Sequence, residues 1–344
     1  MRIAIITDAW HPQRNGVVRV LSTLCETLRH MGHQILVVEP GQFRSLPCPS
    51  YPEIRLALSP AKGLDQALTA FAPQAIHLAT EGPLGWAGRR WCLRHALPFT
   101  TAYHTKFPHY VRARTGVPLS WPYALIRHFH RPSAAVMCPS PSVHQELGQW
   151  GFNNAVEWSH GVDAATFRPQ DKSFIDDLPR PLFMYVGRVA VEKNLPAFLE
   201  LDLPGSKMVV GDGPARAGLM KRFPQVHWRI ANGDAELSRY FAAGDCFVFP
   251  SRTDTFGLVM LEALASGVPV AAFPVPGPQD VLAQASAELP VGVLDEDLAK
   301  AALAALAIAP ENCRDYACRF SWERVSEHFL RLLCPIPDRA ENAA

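Results

Sequence analysis

The chain of 344 residues, 48% hydrophobic and 19% charged, is longer than one hydrophobic core usually supports, so two domains are expected. No apolar run reaches the roughly 18 residues of a membrane-spanning helix, and the opening MRIAIITDAW reads as a strand rather than a signal core, which predicts a cytoplasmic protein. Eight cysteines without a Cys-x-x-Cys pair or a histidine at zinc spacing predict reduced, buried thiols rather than a disulfide framework or a structural metal.

Short β-rich runs alternate with helix-length segments, the pattern of parallel sheets covered by helices on both faces. Strands are expected at 2–7, 35–39, 75–79, 99–104, 135–139 and 155–159, then at 181–186, 207–210, 226–230, 246–250 and 269–273. Each set supplies one doubly wound, Rossmann-like α/β domain. The segment 160–181, HGVDAATFRPQDKSFIDDLPRP, is polar and proline-bearing without a clear period and reads as a linker. The expected division is therefore 1–165 and 166–320, with 321–344 as a carboxyl-terminal helix able to pack back on the first domain. Two such domains are expected to face each other across a cleft lined by the carboxyl ends of both sheets, where folds of this kind hold their ligands.

The net charge of +1 conceals an asymmetry: residues 1–166 carry fifteen Lys and Arg against nine Asp and Glu, and the remainder is net acidic. The span 82–145 holds no acid, eight Lys and Arg and nine aromatics. One reading fills the core with the aromatics and scatters the cations over the surface. The other places Arg112, Arg114, Arg127 and Arg131 on one face beside exposed Trp121 or Tyr123, a surface for anionic lipid. Nucleic acid is not expected as a partner, because the second half is acidic.

The stretch SRTDTFGLVMLEALASGVPV, residues 251–270, carries one acid before an apolar helix and another eight residues later. Structurally, Thr253 or Asp254 would cap the helix and Glu262 would lie on its surface. Chemically, the free N–H groups of Phe256, Gly257 and Leu258 at the helix start suit a phosphate, flanked by Asp254 for sugar hydroxyls and Glu262 for ribose hydroxyls. That spacing fits a nucleoside diphosphate sugar end to end. Arg188 and Lys193 in YVGRVAVEKN follow the first strand of the second domain and supply the positive charge a diphosphate requires. In the first domain Asn15-Gly16-Val17 forms a strand-to-helix turn able to close over the diphosphate, or simply an ordinary turn, and His104 ends a strand in AYHTKFPHYVRAR. Asp295-Glu296-Asp297 resembles an Asp-x-Asp metal site but precedes an alanine-rich helix, so a solvated helix start is expected there.

With these residues placed, the sequence from Met1 to Val17, HGVDAATFRP, GRVAVEKN, GDGP and above all TDTFGLVMLEALASGVPVAA resemble glycosyltransferase family 4, of GT-B fold, over nearly the whole chain. AYHTKFPHYVRAR, SRTDTFG and FPVPGPQDV are similar to the bacterial subgroup of lipid α-mannosyl, glucosyl and glucuronosyl transferases. The resemblance implies that Asp254, standing where the family's Glu-x7-Glu pattern has its first Glu, contacts the donor sugar. It further implies that Glu262 contacts the ribose, Arg188 and Lys193 the diphosphate, and His104 the reacting sugar. It implies a retaining, metal-independent transfer of a hexose from a GDP- or UDP-linked donor, without a further cofactor, to a membrane lipid such as diacylglycerol. A soluble saccharide acceptor, a sugar epimerase and a sugar-binding protein without catalysis remain as alternatives. A phosphorylase would need a pyridoxal lysine, for which no motif stands out.

Overall fold

The computed structural model describes residues 1–13, 15–48, 51–283 and 285–337, apart from the side chains of 51–53, 113 and 114. The chain divides into two compact units, Met1–Ser159 together with the segment from Trp322 onward, and His160–Ser321.

In the first unit the strands are β1 (Arg2–Ile6), β2 (Gln34–Val38), β3 (Ser45–Cys48), β4 (Tyr51–Ala57), β5 (Ala75–Leu78), β6 (Thr100–Ala102), β7 (Val136–Cys138) and β8 (Ala155–Glu157). Its helices are α1 (Gly16–His30), α2 (Ala61–Phe71), α3 (Pro83–Arg94), α4 (Phe107–Thr115), α5 (Ser120–His130) and α6 (Pro141–Gln149). Six strands form a parallel sheet in the order β2-β1-β5-β6-β7-β8. All four residues of β5 are buried, as expected of a central strand covered on both faces. The antiparallel pair β3-β4 stands outside that sheet and was not anticipated from the sequence.

The second unit contains β9 (Leu182–Val186), β10 (Ser206–Val210), β11 (His227–Arg229), β12 (Cys246–Phe249), β13 (Val270–Ala272) and β14 (Gly292–Leu294). Interleaved helices are α7 (Pro196–Leu199), α8 (Arg216–Arg222), α9 (Asp234–Ala243), α10 (Leu258–Ala265), α11 (Pro276–Leu282), α12 (Leu298–Ala305) and α13 (Pro310–Ala317). Its parallel sheet runs β11-β10-β9-β12-β13-β14. The sixth strand, β14, is three residues long, too short for a hydrophobic run to reveal it.

The segment 160–181 is not a free linker. Val162, Phe167, Ile175 and Leu178 are buried in the second unit's core. Arg314 of α13 fastens the segment by donating to the carbonyls of Ala164 and Phe167 at 2.7 and 2.6 Å. The final helix α14 (Trp322–Leu332) buries Trp322, Val325, Ser326 and Phe329, a stripe at helical spacing. It packs in the first unit, where Trp158 donates its indole N–H to the Val325 carbonyl at 3.1 Å and Phe329 lies edge-on to His77. Among the described residues no helix is long and apolar enough to cross a membrane.

The loops after β9 and β10 are laced together: Val189 N–H donates to the Asp212 carbonyl at 2.9 Å and Gly187 N–H to the Val210 carbonyl at 3.0 Å. The approach leaves no room for a side chain on Gly211, whose φ is +153° and whose absent Cβ would collide with the Gly187 carbonyl. Gly211→Ala is therefore expected to cost about 1 to 3 kcal/mol in urea unfolding, whereas Gly218→Ala, inside α8 and meeting open space, should keep or slightly raise the midpoint.

Candidate active site

A doubly wound sheet forms a crevice where consecutive crossovers leave a pair of neighbouring strands in opposite directions, beyond their carboxyl ends. In the second unit that pair is β9 and β12. The residues after β9 are Gly187, Arg188 and the turn Val191–Lys193; those after β12 run from Pro250 to Gly257. Lys193 and Asp254 join the two loops directly, Nζ donating to Oδ1. Asn194 sets this turn by taking a left-handed conformation, φ 53°, and donating its side-chain amide to the Pro250 carbonyl at 3.1 Å. Arg188 is half-buried, and its carbonyl accepts the Tyr185 hydroxyl at 3.0 Å. Burial, with the charges of Asp254 and Glu192, raises the Tyr185 phenol well above its ordinary range, so it stays a donor.

Neither Thr253 nor Asp254 caps the following helix, which begins at Leu258 with Gly257 as its cap and no side-chain cap bond. The expected start near Phe256 is two residues early. Phe256 is instead buried against His160, ring centroids 5.2 Å apart, and Gly257 turns the chain at φ +90°. Only a residue without Cβ turns there freely, and a glycine cap offers the first N–H groups of α10 no side chain of its own. Glu262 lies one turn inside α10 and is 4% exposed, so it is not a surface glutamate. The structure thus brings Lys193, Asp254, Gly257 and Leu258 to one switch point, with Arg188 on the same β9 loop and Glu262 on the same helix. The acids at 295–297 serve a helix start: Asp297 accepts from Ala299 and Lys300 N–H, Asp295 pairs with Lys300 at 2.7 Å, and Glu296 with Arg252 at 2.9 Å.

In the first unit the corresponding pair is β1 and β5. Asp8, after β1, is buried and accepts from Thr80 Oγ1 at 2.9 Å and from the N–H groups of Leu84 and Gly85 at 2.9 and 3.3 Å. The amino end of α3 is therefore already occupied by a carboxylate. Gly16 opens α1, and Asn15 caps it by accepting from Val18 N–H at 3.0 Å, so that one of the turn's donors is engaged. His104 lies two residues beyond β6 rather than at its end, edge-on to Trp158. Burial lowers its pKa to about 4, against the Glu81 charge that works to raise it, so the imidazole is neutral at physiological pH. Asp8, Glu81 and Asn194 were not singled out in the sequence; the one usable signal was position, just after an apolar strand.

Helix α5 exposes Trp121 (72%) and, one turn on, Leu125 (54%), with Arg112 on α4 and Arg127 and Arg131 also exposed. Tyr123 does not share that surface: it is buried, stacked on Trp150 at 4.2 Å, and donates to Glu146 at 2.6 Å. The Arg114 side chain lies outside the described part of the structure. Two cations of the acid-free span are engaged with backbone: Arg127 donates to the Trp150 carbonyl at 3.1 Å and Arg89 to those of His128 and Phe129 at 3.0 Å. Glu146 gathers Lys106, His109 and Tyr123; burial acts to raise its pKa, and these hydrogen bonds outweigh that and hold it at about 2.

Residues 14–166 match the profile described as Glycosyltransferase Family 4, and residues 180–307 that of Glycosyl transferases group 1. The chain is 30% identical over 326 residues to a GDP-mannose-dependent alpha-mannosyltransferase of Mycobacterium tuberculosis, covering 87% of this chain and 86% of the relative. It belongs to glycosyltransferase family 4. The glycosyltransferase is also 32% identical to the sulfoquinovosyl transferase SQD2 of Arabidopsis thaliana, over 74% of its own chain but only 56% of that relative's length. It is 28% identical to an alpha-monoglucosyldiacylglycerol synthase of Streptococcus pneumoniae, over 96% of this chain and 83% of that one. In three dimensions it is similar to a sucrose-phosphate synthase of Thermosynechococcus elongatus, TM-score 0.75 at 22% identity, over 96% of this chain and 98% of that one, which with its two parallel sheets gives it the GT-B fold.

Two buried histidines make stability depend on pH. Burial lowers His77 to about 3 and His104 to about 4, from an ordinary 6.5. The unfolded chain therefore binds protons that the folded one refuses, and stability, full above about pH 6.5, falls on acidification toward pH 4 by up to about 1.4 kcal/mol per pH unit per ring. Glu146, held at about 2 against an ordinary 4.5, adds to the loss only below about pH 5, where the unfolded chain begins to protonate it. Urea midpoints should drop between pH 7 and pH 5, and His104→Asn should flatten that slope; a variant slope equal to wild type would contradict burial as the cause.

Proposed function

We propose that this glycosyltransferase moves a hexose from a nucleoside diphosphate sugar to a lipid hydroxyl with retention of configuration and without a metal ion. The observation that carries the donor reading is the meeting of Lys193 and Asp254 at the β9/β12 crevice, beside a helix whose first N–H groups have no side-chain cap. A diphosphate suits that place: Arg188 and Lys193 offer cations, and α10 offers backbone donors and the positive end of its dipole. Asp254, released from Lys193 by the incoming phosphate, is then available to donor sugar hydroxyls, and Glu262 to the ribose. A GDP-linked donor is favoured by the mannosyltransferase likeness.

In the reaction the bond between the sugar's anomeric carbon and the diphosphate oxygen breaks. The acceptor oxygen bonds to that carbon on the same face, and its proton passes to the departing phosphate oxygen. Arg188, Lys193 and the α10 amino end stabilise the charge that grows on the leaving group. The role assigned to His104 here is a hydrogen bond to the reacting sugar; a neutral imidazole offers no charge to phosphate.

The lipid acceptor and a peripheral, cytoplasmic-face location are supported by the exposed Trp121 and Leu125 on α5, in a span that also exposes Arg112 and Arg131, and by the likeness to a diacylglycerol glycolipid synthase. Each basic group near an anionic surface contributes about 1 kcal/mol.

Calorimetry with GDP and UDP tests the donor site: Arg188→Ala and Lys193→Ala should each weaken nucleoside diphosphate binding at least tenfold with the melting temperature kept. Near-normal binding in the double variant refutes the assignment. Sedimentation tests the acceptor side. Wild type should pellet with anionic vesicles at low salt, and less with zwitterionic ones, and the Trp121→Ala, Leu125→Ala pair should stay in solution. Wild type remaining in the supernatant would transfer the proposal to a soluble saccharide acceptor.

A further inference from the structure

The first unit's crevice holds a carboxylate with no part in the donor chemistry. Glu81 lies in the short loop between β5 and α3, next to Thr80, which is tied to Asp8. Its side chain is 23% exposed, and its charge is felt by His104 on the next strand's loop. One oxygen, Oε1, meets Nε2 of His130 at 3.2 Å, and His130 is fully buried.

The hydrogens behind this contact can be assigned one by one. Ser133 Oγ donates to the His130 carbonyl at 2.7 Å, so toward Thr101 it can only accept. Thr101 Oγ1 donates to Ser133 Oγ at 3.1 Å, which uses its one hydrogen. The 2.8 Å contact between Thr101 Oγ1 and His130 Nδ1 therefore requires the hydrogen on Nδ1. A ring protonated there presents a bare Nε2 to a carboxylate oxygen unless one further proton is shared between Nε2 and Oε1. The chain Ser133-Thr101-His130 is satisfied within the core, and it anchors one oxygen of the Glu81 carboxyl group. The second oxygen, Oε2, is left for something outside the core.

We propose that Glu81 is an acceptor-binding residue: Oε2 accepts a hydrogen bond from a hydroxyl of the acceptor, and His130, a positioning residue, holds the carboxyl group in the orientation that allows it. The inference rests on the glycosyl-transfer reading above and adds to it the side chain by which the first unit recognises its substrate. The chemical class is a hydroxyl donor, as offered by a glycerol headgroup or by a sugar ring. A carboxylate suits it because an ionised acceptor binds a hydroxyl about twice as strongly as a neutral one.

The test measures transfer from the sugar nucleotide that wild type turns over, with dioleoylglycerol in mixed micelles and with a methyl hexoside in solution as the two acceptors. Glu81→Gln keeps the tie to the core, since its amide N–H can donate to the bare Nε2, but loses the charge. Glu81→Ala loses both. Glu81→Gln should raise the KM of the productive acceptor about tenfold while the nucleoside diphosphate Kd and the melting temperature stay within error of wild type, and whichever acceptor responds identifies the source of the hydroxyl. If Glu81→Gln has the wild-type acceptor KM and only Glu81→Ala is impaired, Glu81 merely props His130 and the inference is overturned. If acceptor KM and nucleotide Kd rise together, it is overturned as well. A wild type that releases nucleoside diphosphate from no sugar nucleotide overturns the glycosyl-transfer reading itself, and this inference with it.

Discussion

Both units depend on the handedness of their crossovers. A parallel strand followed by a right-handed crossover must find its partner on one side, so a sheet that grows in both directions from its first strand has one place where neighbouring loops part. In the second unit that place lies between β9 and β12, and in the first between β1 and β5. What distinguishes the units is how the polar groups at each place are satisfied. Asp8 fills the amino end of α3 with the protein's own carboxylate, buried and bonded to two backbone N–H groups and Thr80. Burial raises its pKa against those hydrogen bonds. An external anion has nothing to gain there. In the second unit the amino end of α10 begins at a glycine with no side chain to cap it, and Asp254, three residues earlier, is paired with Lys193. The same topology therefore yields one crevice in which the α3 amino end holds the protein's own carboxylate and one in which α10 starts at a glycine, and the proposed donor reading rests on that contrast.

The alternation of strand-like and helix-like runs was legible because several central strands are apolar blocks bounded by turns, such as LFMYV in β9 and CFVF in β12. What escaped was structure whose cause lies elsewhere in the chain. Strand β14 is three half-buried residues that pair with β13 only because β13 is already in place. The 160–181 segment is polar in composition, yet four of its apolar residues complete the second unit's core, and it is held by Arg314, well over a hundred residues away. Composition registers the polar residues and not the distant guanidinium. The helix boundary at Phe256 was misplaced for a local reason: an aromatic beside a leucine run looks helical, and the left-handed turn at Gly257 is invisible to periodicity.

The candidate site divides along the same line. Arg188, Lys193, Asp254 and Glu262 could be read because each sits at a fixed offset from a strand end or helix start. The surroundings that orient them could not. Asn194 looks like any turn residue until its amide is seen on the Pro250 carbonyl, and His130 looks like one of two histidines near the end of an amphipathic helix. Its role emerges only when β6, the 131–135 turn and the β5 loop converge on it. Thirteen histidines in one chain give no ranking by themselves; hydrogen-bond direction does.

The acid-free span poses a problem that the fold resolves without carboxylates. Eight cations packed into 64 residues would repel one another across a small surface. Arg89 and Arg127 instead turn to carbonyls at the ends of α5 and α6, where helix dipoles concentrate negative charge. Lys106 takes Glu146, the first acid after the span, from across the fold. Removing these from the free cations, and leaving Arg114 aside, leaves Arg90 and Arg94 on α3, Arg112 on α4 and Arg131 just after α5 as the exposed positive groups given no such partner among the described residues, in a stretch that also exposes Trp121, Leu125 and Phe107. The surface is then less cationic and more apolar than the sequence suggests. For a lipid partner that shifts the burden of binding from counter-charge to side-chain insertion. Tryptophan and leucine entering the headgroup region gain from burial whatever the salt, so raising ionic strength should weaken attachment only in part, whereas a purely electrostatic surface would release completely.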